Sequence, residues 1–406
     1  MGKLLNITYS SIQGTFWMYY GVVGTFASVF LLARGYSNSE IGVVLAVGNV
    51  LAVILQPILA DIADRSKKVS LTGIIQLIVI VMMVMTVVLC VLQKKSLALT
   101  VIFVLLLTWH TVLQPLINSL SFKLEESGYH VSFGVARSIG SLCYSALMAV
   151  TGTLVERCGV QVLPISGEVI LVMLLVSLIL TKKQYDKAKA ESHSDGVISE
   201  TVKEASDEPE INLKDFVMRN KIFVLVNVGV IGIYFSNQIL NNYMIQIVTS
   251  VGGDSEDMGR ILSVMAFLEI PAMVGFDSLR KKFSCELLLK VASIGFTVKI
   301  AMCYIASSVA MVYFAQLFQL ISFGLFLPAM VNFIDEIMSK GEAVKGQAFF
   351  TTMVTVTSMI SSLIGGVILD LSGAKMLTLV ATIATALGAL IIIASVDRIG
   401  KGRQRQ

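Results

Sequence analysis

Residues 70–92 read SLTGIIQLIVIVMMVMTVVLCVL, and none of these side chains carries a charge. At about 1.5 Å of rise per residue, a helix of this length crosses a hydrocarbon core about 30 Å thick. An apolar run this long is typical of a membrane-spanning helix and is rare in the core of a soluble domain. The stretch therefore predicts a transmembrane helix.

Apolar runs of this kind recur along the whole chain. Hydrophobic residues make up 55% of the sequence and charged residues 14%, and the mean hydropathy is +0.82. These values exclude an ordinary soluble domain. We predict an all-α, multi-pass membrane protein with twelve transmembrane helices, at residues 10–33, 38–60, 70–92, 98–120, 132–154, 162–181, 221–248, 258–278, 285–307, 309–334, 346–369 and 374–396.

The basic residues predict the orientation, because cytoplasmic loops are enriched in Lys and Arg. Of the 31 Lys and Arg residues, only six lie on the side opposite to the termini: Arg34, Lys94, Lys95, Arg157, Arg260 and Lys375. Both termini are therefore predicted to be cytoplasmic. The net charge of +4 reflects this bias, so no nucleic-acid partner is expected. No cleavable signal peptide is expected either, since the first apolar run continues as a full span.

A polar segment divides the chain into two halves. Residues 182–218 are rich in Ser, Glu, Asp and Lys, with almost no aromatic residue before Phe216. This composition is typical of a cytoplasmic linker. We predict an N-terminal six-helix bundle at 1–181, the linker at 182–218, and a C-terminal six-helix bundle with a short basic tail at 219–406.

One short pattern follows both the second and the eighth span. The second span ends in ADIADRSKK (residues 60–68) and the eighth in GFDSLRKK (residues 275–282). A small residue, an Asp and then clustered bases at these two places resemble the loop signature of the major facilitator superfamily. The resemblance implies two helix bundles that rock around a midplane cavity with alternating access. It also implies a cytoplasmic gate, although such bases can instead serve only to set the topology; the gate residues are Asp61, Asp64, Arg65, Lys68, Asp277 and Arg280.

Four motifs inside the spans carry a closer resemblance. They are FGVARSIG (133–140), VKI (298–300), EIP (269–271) and QLISFG (319–324). Together they resemble the lactose permease branch, the oligosaccharide:proton symporters. The resemblance implies that Arg137 corresponds to an arginine that binds sugar hydroxyls, and that Lys299 stands where that family carries an arginine.

The chain departs from that branch at its acidic positions. The carboxylate that follows a proline in the fourth helix of the permease is Asn118 here, after Pro115. Two aspartates of the seventh helix correspond to Gln238 and Asn241. A lysine, a histidine and a glutamate of the tenth helix correspond to Gln316, Gln319 and Ser322. Acids and their partners are thus replaced mostly by amides.

These amides share helix faces, which predicts one lined cavity. Gln114 and Asn118 lie on one face of the fourth span, and the seventh and tenth spans each carry a similar pair. Amides suit hydroxyls, amides and ring nitrogens as partners. The alternative is that they only stitch helices together, at about 0.6 kcal/mol per interhelical bond. The predicted substrate-binding residues are Asn118, Arg137, Gln114, Gln238, Asn241, Gln316, Gln319, Lys299, Trp17 and Tyr20.

Three charges within the spans need a partner or a function. Arg137 can hold two adjacent hydroxyls or a carboxylate, or it pairs with Glu125 or Glu126. Lys299 lies mid-span, and Glu269 in the neighbouring helix is its natural partner. If Glu269 instead faces the cavity, it is the predicted proton carrier.

Three further side chains stay open between two interpretations. His110 is expected to be a packing residue, with proton coupling as its second interpretation. Trp17 and Tyr20 are spaced to stack on a sugar ring or an aromatic solute, although such residues are more often core.

The sequence shows no nucleophile–base pair, phosphate-binding loop, metal-ligand spacing or cofactor motif. No enzyme activity, metal or cofactor is therefore expected, and a scaffold or receptor role would need a signalling domain. We predict a secondary active transporter for a small polar organic solute, namely a sugar, oligosaccharide or nucleoside. The alternatives are an organic anion (a carboxylate or phosphorylated sugar) and a uniporter without proton coupling. We expect a monomer in a bacterial inner membrane, with substrate, lipid and, if coupled, protons as partners.

Overall fold

The computed structural model describes residues 2–65, 70–126, 128–194 and 213–403, and within these ranges it is helical without strands. Its helices are α1 Gly2–Tyr20, α2 Ala27–Ala33, α3 Asn38–Arg65, α4 Leu71–Val91, α5 Leu97–Glu125, α6 Phe133–Cys158, α7 Val162–Ser194, α8 Leu213–Arg219, α9 Lys221–Ser250, α10 Ser255–Arg280, α11 Cys285–Ile305, α12 Val309–Gln316, α13 Phe323–Ile337 and α14 Lys340–Arg403. The all-α prediction is confirmed for the described residues.

Side-chain caps begin four of the long helices. Ser70, Ser96, Asp254 and Ser284 each accept a hydrogen bond from the backbone N–H three residues later, which starts α4, α5, α10 and α11. Such a cap satisfies one of the free N–H groups of a first helical turn. Short polar sequences between apolar runs therefore set these helix starts locally.

Ten helices in the described residues are long and apolar enough to cross a membrane, or eleven if the bent pair Gly2–Thr25 and Ala27–Ala33 forms one span. One of them, Glu342–Arg398, has 57 residues, far more than the roughly 20 that one crossing needs. It changes direction at Gly373, whose φ of 77° is accessible to glycine at little cost. This residue separates the predicted spans 346–369 and 374–396. The count of twelve and the cytoplasmic termini stay predictions.

Two predicted spans are not continuous α-helices. The first helix begins at Gly2, well before the predicted residue 10, and a π-helical turn, Gly21–Thr25, interrupts it before α2. In the tenth span, α12 passes into a 3₁₀ turn, Leu317–Gln319, and α13 starts only after Ser322. Short 3₁₀ and π segments inside helices often mark functional positions. Hydropathy reports only the apolar length, so it cannot show such breaks.

The chain forms two compact units, residues 1–203 and 204–406. In the first, α1 packs against α6 and α7, α3 against α5, and α4 against α7. In the second, α9 lies along α14, where Gly232 approaches the backbone of Ala384 and Gly388. Small residues allow such close helix contacts in membranes. The opposite faces stay apolar and exposed, as Leu77 and Val84 of α4 illustrate, which suits contact with lipid.

The structure differs from the predicted linker at both ends. Helix α7 continues to Ser194, because residues 182–194 are mostly good helix formers such as Lys, Gln, Ala and Glu. Helix α8 covers Leu213–Arg219, and its buried Phe216 packs against Phe223 and Phe349 of the second unit. Residues 195–212 lie outside the described residues.

Candidate functional site

Three predicted site residues form a hydrogen-bonded series inside the second unit, here called the Lys–Gln–Glu network. Lys299 of α11 is completely buried, and its Nζ donates to Oε1 of Gln319 at 2.5 Å. Nε2 of Gln319 donates in turn to Oε1 of Glu269 on α10 at 2.7 Å. Lys299 and Glu269 are thus joined through the amide of Gln319, whereas the sequence suggested either a direct pair or a Glu269 that faces the cavity.

Glycines bring the three helices of this network together. A Cβ at Gly324 would lie 2.7 Å from Cβ of Ala272 and 3.4 Å from Cα of Glu269, so α13 starts directly against α10. A Cβ at Gly295 of α11 would lie 3.2 Å from the carbonyl oxygen of Ile321. The helix break that carries Gln319 is therefore held between α10 and α11, where both charged partners lie.

The two charged partners determine the orientation of the Gln319 side-chain amide. The oxygen of Gln319 faces the ammonium group and its NH₂ faces the carboxylate, so each charge meets the matching end of the amide dipole. Bonds to charged groups are stronger than those between neutral groups. The arrangement gives both charged side chains a hydrogen-bond partner within the helix bundle.

In the part of the chain that the structure describes, the remaining predicted polar residues of the second unit make no hydrogen bond to the three members of this network. Gln316 is buried and donates to the carbonyl of Val312 and to Sγ of Cys303, one helical turn after Lys299. Gln238 and Asn241 are half-buried on α9, and within the described residues no hydrogen bond joins them to another predicted site residue.

In the first unit, Arg137 of α6 stacks on Trp17 of α1. Its Cζ lies 3.8 Å from the centroid of the Trp17 ring, and its Nη1 donates to Oγ of Ser141 at 2.8 Å. A cation over an indole face is a favourable arrangement. Glu125, an expected alternative partner, contacts His130 and the backbone N–H of Val131. The structure thus brings together two predicted site residues, Arg137 and Trp17.

A second polar group in this unit includes residues that sequence reasoning missed. Gln13 is completely buried on α1, and its Nε2 donates to the hydroxyl of Tyr9 at 2.9 Å and to Oδ1 of Asn118 at 3.3 Å. Tyr9 donates to the backbone carbonyl of Ile117. The predicted site residue Asn118 therefore has a hydrogen-bond partner on α1. Gln114, one turn earlier on α5, is half-buried. An inventory of amides in the first span would have found Gln13.

His110 lies within an aromatic stack in the first unit. Its ring is 4.2 Å from that of Phe16 at an interplanar angle of 12°, and 5.5 Å from that of Tyr20 at 19°. The residue is buried, and its Nδ1 has no hydrogen-bond partner among the described residues. These contacts favour the packing interpretation. Tyr20 itself is half-buried, and Trp17 lies edge-on to it.

The predicted gate residues are described only in part. Arg280 donates from Nη1 to Asn332 at 2.5 Å and from Nη2 to Glu336 at 3.0 Å, so it joins α10 to α13 within the second unit. Asp61 and Asp277 are exposed. The side chains of Asp64 and Arg65 and the whole of Lys68 lie outside the described residues. Among the described residues, no group of three His, Cys, Asp or Glu side chains could hold a metal ion.

Comparisons with known proteins agree with this architecture. The structure of a single-residue mutant of the nucleoside transporter NupG superposes with a TM-score of 0.78 and 13% identity, covering 96% of this chain and 99% of that one. A mutant of the peptide transporter POT superposes with a TM-score of 0.70 and 10% identity, covering 98% of this chain and 94% of that one. Identities this low show the fold alone. A search of curated protein sequences finds no match.

The sequence itself also matches a family model. The model of the MFS_1 like family covers residues 9–380, which is most of the chain. The apolar helices and the matched transporters support a multi-pass membrane protein. The chain therefore belongs to the MFS_1 like family and is a transporter of the major facilitator superfamily.

Proposed function

We propose that this protein is a secondary active transporter that moves a small, neutral, polar organic solute by alternating access, coupled to protons through Glu269. The observation that carries the proposal is the Lys–Gln–Glu network. Charged side chains inside membrane helices are costly, at about 2.5–3.5 kcal/mol each on insertion scales, and usually serve transport. Lys299, which is buried in the second unit, and the half-buried Glu269 meet this expectation.

The network also bears on the charge of the solute. Counted as isolated groups, Arg137 and Lys299 outnumber Glu269 and would favour an anion. Because Gln319 joins Lys299 to Glu269, these two charges offset each other within their own unit. The neutral polyhydroxylated class (sugar, oligosaccharide or nucleoside) is therefore the leading proposal. NupG is a nucleoside transporter and POT a peptide transporter, so the shared fold alone does not select among these solutes.

The proposal of proton coupling rests on the half-buried carboxylate of Glu269. Glu269 accepts a hydrogen bond from Gln319, and a carboxylate at this depth can alternate between a charged and a protonated form. If Glu269 takes up a proton as the solute binds, the proton gradient would drive accumulation of the solute. In a uniporter, by contrast, the two hydrogen bonds of the network would persist throughout the cycle and would serve only to stabilise the fold.

The second candidate is transport of an organic anion, such as a carboxylate or a phosphorylated sugar. The specific observation in its favour is Arg137, whose planar guanidinium suits two oxygens of one carboxylate or phosphate. We further propose a functional monomer in a cell inner membrane, both termini cytoplasmic, with two six-helix bundles.

Uptake into proteoliposomes tests the proposal. The purified full chain is reconstituted, and accumulation of labelled uridine, lactose and benzoate is measured with and without an imposed proton gradient. Accumulation of uridine or lactose that requires the gradient supports the proposal. Accumulation of benzoate alone would replace the neutral class with the anion class, and gradient-independent equilibration would identify a uniporter.

A further inference from the structure

The Arg137 guanidinium is held by its own helix and by α1. Trp17 covers one of its faces, with Cζ 3.8 Å from the ring centroid. Ser141, one turn further along α6, accepts from Nη1 at 2.8 Å. An arginine side chain in a bundle normally has many rotamers. Here the stack and the hydrogen bond together define the plane of the guanidinium.

The same face of α6 is shaped to receive the indole. A Cβ at Gly140 would lie only 2.7 Å from Cδ1 of Trp17, so a glycine is needed where the ring packs. Gly140 and Ser141 follow Arg137 by three and four residues, so all three lie on one side of α6. Gly140 leaves room for the indole ring, Arg137 stacks on it, and Ser141 accepts a hydrogen bond from the guanidinium.

The indole is in turn held by its neighbours on α1. Phe16 and Tyr20 meet Trp17 edge-on, at centroid distances of 5.4 Å and 5.8 Å and interplanar angles of 88° and 80°. Edge-to-face contacts of this kind are favourable and directional. The surface under Arg137 is therefore a rigid ring rather than a mobile side chain.

We propose that Trp17 is a positioning residue, which sets the plane of Arg137 so that its guanidinium receives two adjacent oxygens of the solute. The solute group is a pair of neighbouring hydroxyls, as on a sugar or ribose ring, or the two oxygens of a carboxylate. The inference rests on the proposed function, in which Arg137 binds the solute. Pre-organising a donor pair improves affinity because less side-chain freedom is lost on binding.

Fluorescence gives a direct readout, since the chain has two tryptophans, Trp17 and Trp109. In the Trp109→Phe protein all tryptophan emission comes from Trp17. We expect uridine or lactose, added to this purified full-length protein, to change the emission saturably. We expect Arg137→Lys in the same background to reduce that response, because lysine keeps the charge but loses the planar stack.

Calorimetric binding of the same probes separates positioning from packing. Trp17→Leu should weaken binding roughly tenfold to thirtyfold, as loss of a desolvated cation–π contact implies. Trp17→Phe, which keeps an aromatic face and is the safer variant for folding, should restore most of the affinity. In the Arg137→Lys background, Trp17→Leu should have little further effect, because both changes act through the same group.

Trp109→Leu is the matched control, because Trp109 lines an apolar pocket with Leu59 and Ile78 on other helices of the unit. It should leave probe affinity unchanged. If Trp17→Leu weakens binding equally in the native protein and in the Arg137→Lys protein, the inference is overturned. The proposed transport function would not be affected by that result. Binding of benzoate alone, with Trp17 dependence, would keep the inference and move the solute to the anion class. Absence of binding by uridine, lactose and benzoate would contradict the proposed function, whereas binding that Trp17→Leu leaves unchanged would overturn the inference alone.

Discussion

The ammonium group of Lys299 lies 2.5 Å from the amide oxygen of Gln319, although a neighbouring helix also carries the carboxylate of Glu269. A buried lysine close to a glutamate usually suggests a direct ion pair. The inserted amide keeps the two charges apart while bonding to both. Because Gln319 lies on a 3₁₀ turn and its partners lie on continuous helices, a rearrangement of that turn would change both bonds together.

Glu269→Gln should abolish accumulation driven by a proton gradient and spare solute counterflow. The substitution keeps the size of the side chain and removes the group that can take up a proton. Both activities are measured in proteoliposomes with the same labelled solute. Aspartate is the matched control, since Glu269→Asp retains a carboxylate and should retain some coupling. Accumulation that survives Glu269→Gln would show that the proton binds elsewhere.

Gln319→Leu should destabilise the protein more than Gln316→Leu. The first removes the hydrogen-bond partner of a completely buried ammonium group, and a hydrogen bond to a charged group contributes about 1.5–3 kcal/mol. The second removes bonds only to the carbonyl of Val312 and to a cysteine sulfur, at about 0.5–1.5 kcal/mol.

The melting temperature in detergent provides the comparison for these two variants. Lys299→Met should reduce the effect of Gln319→Leu, because no buried ammonium group then needs the amide. If both glutamine variants destabilise the protein equally, the network does not stabilise the fold in the proposed way. The same conclusion follows if the effects of Gln319→Leu and Lys299→Met on the melting temperature simply add.

Gly232→Ala should destabilise the second unit by roughly 1–3 kcal/mol, the usual range for overpacking. Its Cβ would overlap the carbonyl oxygen of Ala384, so α9 and α14 would have to separate. Gly275→Ala is the control within the same unit, because its Cβ meets nothing within 4 Å. That change should be neutral or stabilise by up to about 1 kcal/mol, as in any helix interior. A thermal melt that ranks the two variants the other way would disprove this packing.

Single-cysteine labelling should locate the two sides of the membrane. In a protein whose five native cysteines are replaced by serine, Lys94→Cys should react with an impermeant maleimide in intact cells. Lys281→Cys should react only after permeabilisation, since the clustered bases predict a cytoplasmic loop. Both native side chains are exposed, so access alone cannot explain a difference. The opposite labelling pattern would invert the predicted orientation.

Much of the fold could be predicted from the sequence, because its signals are local. An apolar run such as 70–92 specifies a membrane helix by length alone, and Ser70 or Ser284 starts a helix through a bond three residues away. The matched loops after the second and eighth spans indicated the transporter superfamily through residue order alone. Breaks such as the 3₁₀ turn before Ser322 were missed, since hydropathy does not depend on backbone angles.

The sequence by itself determined the membrane class, the helical architecture and the short set of polar residues inside the spans. Only the tertiary structure decided the partners of those residues. Gln319 separates Lys299 from Glu269, and Trp17 lies under Arg137, because the rotation and close approach of packed helices choose contacts between distant positions. Apolar patterning acts over one helix, whereas the pairing of buried polar groups depends on which helix faces meet.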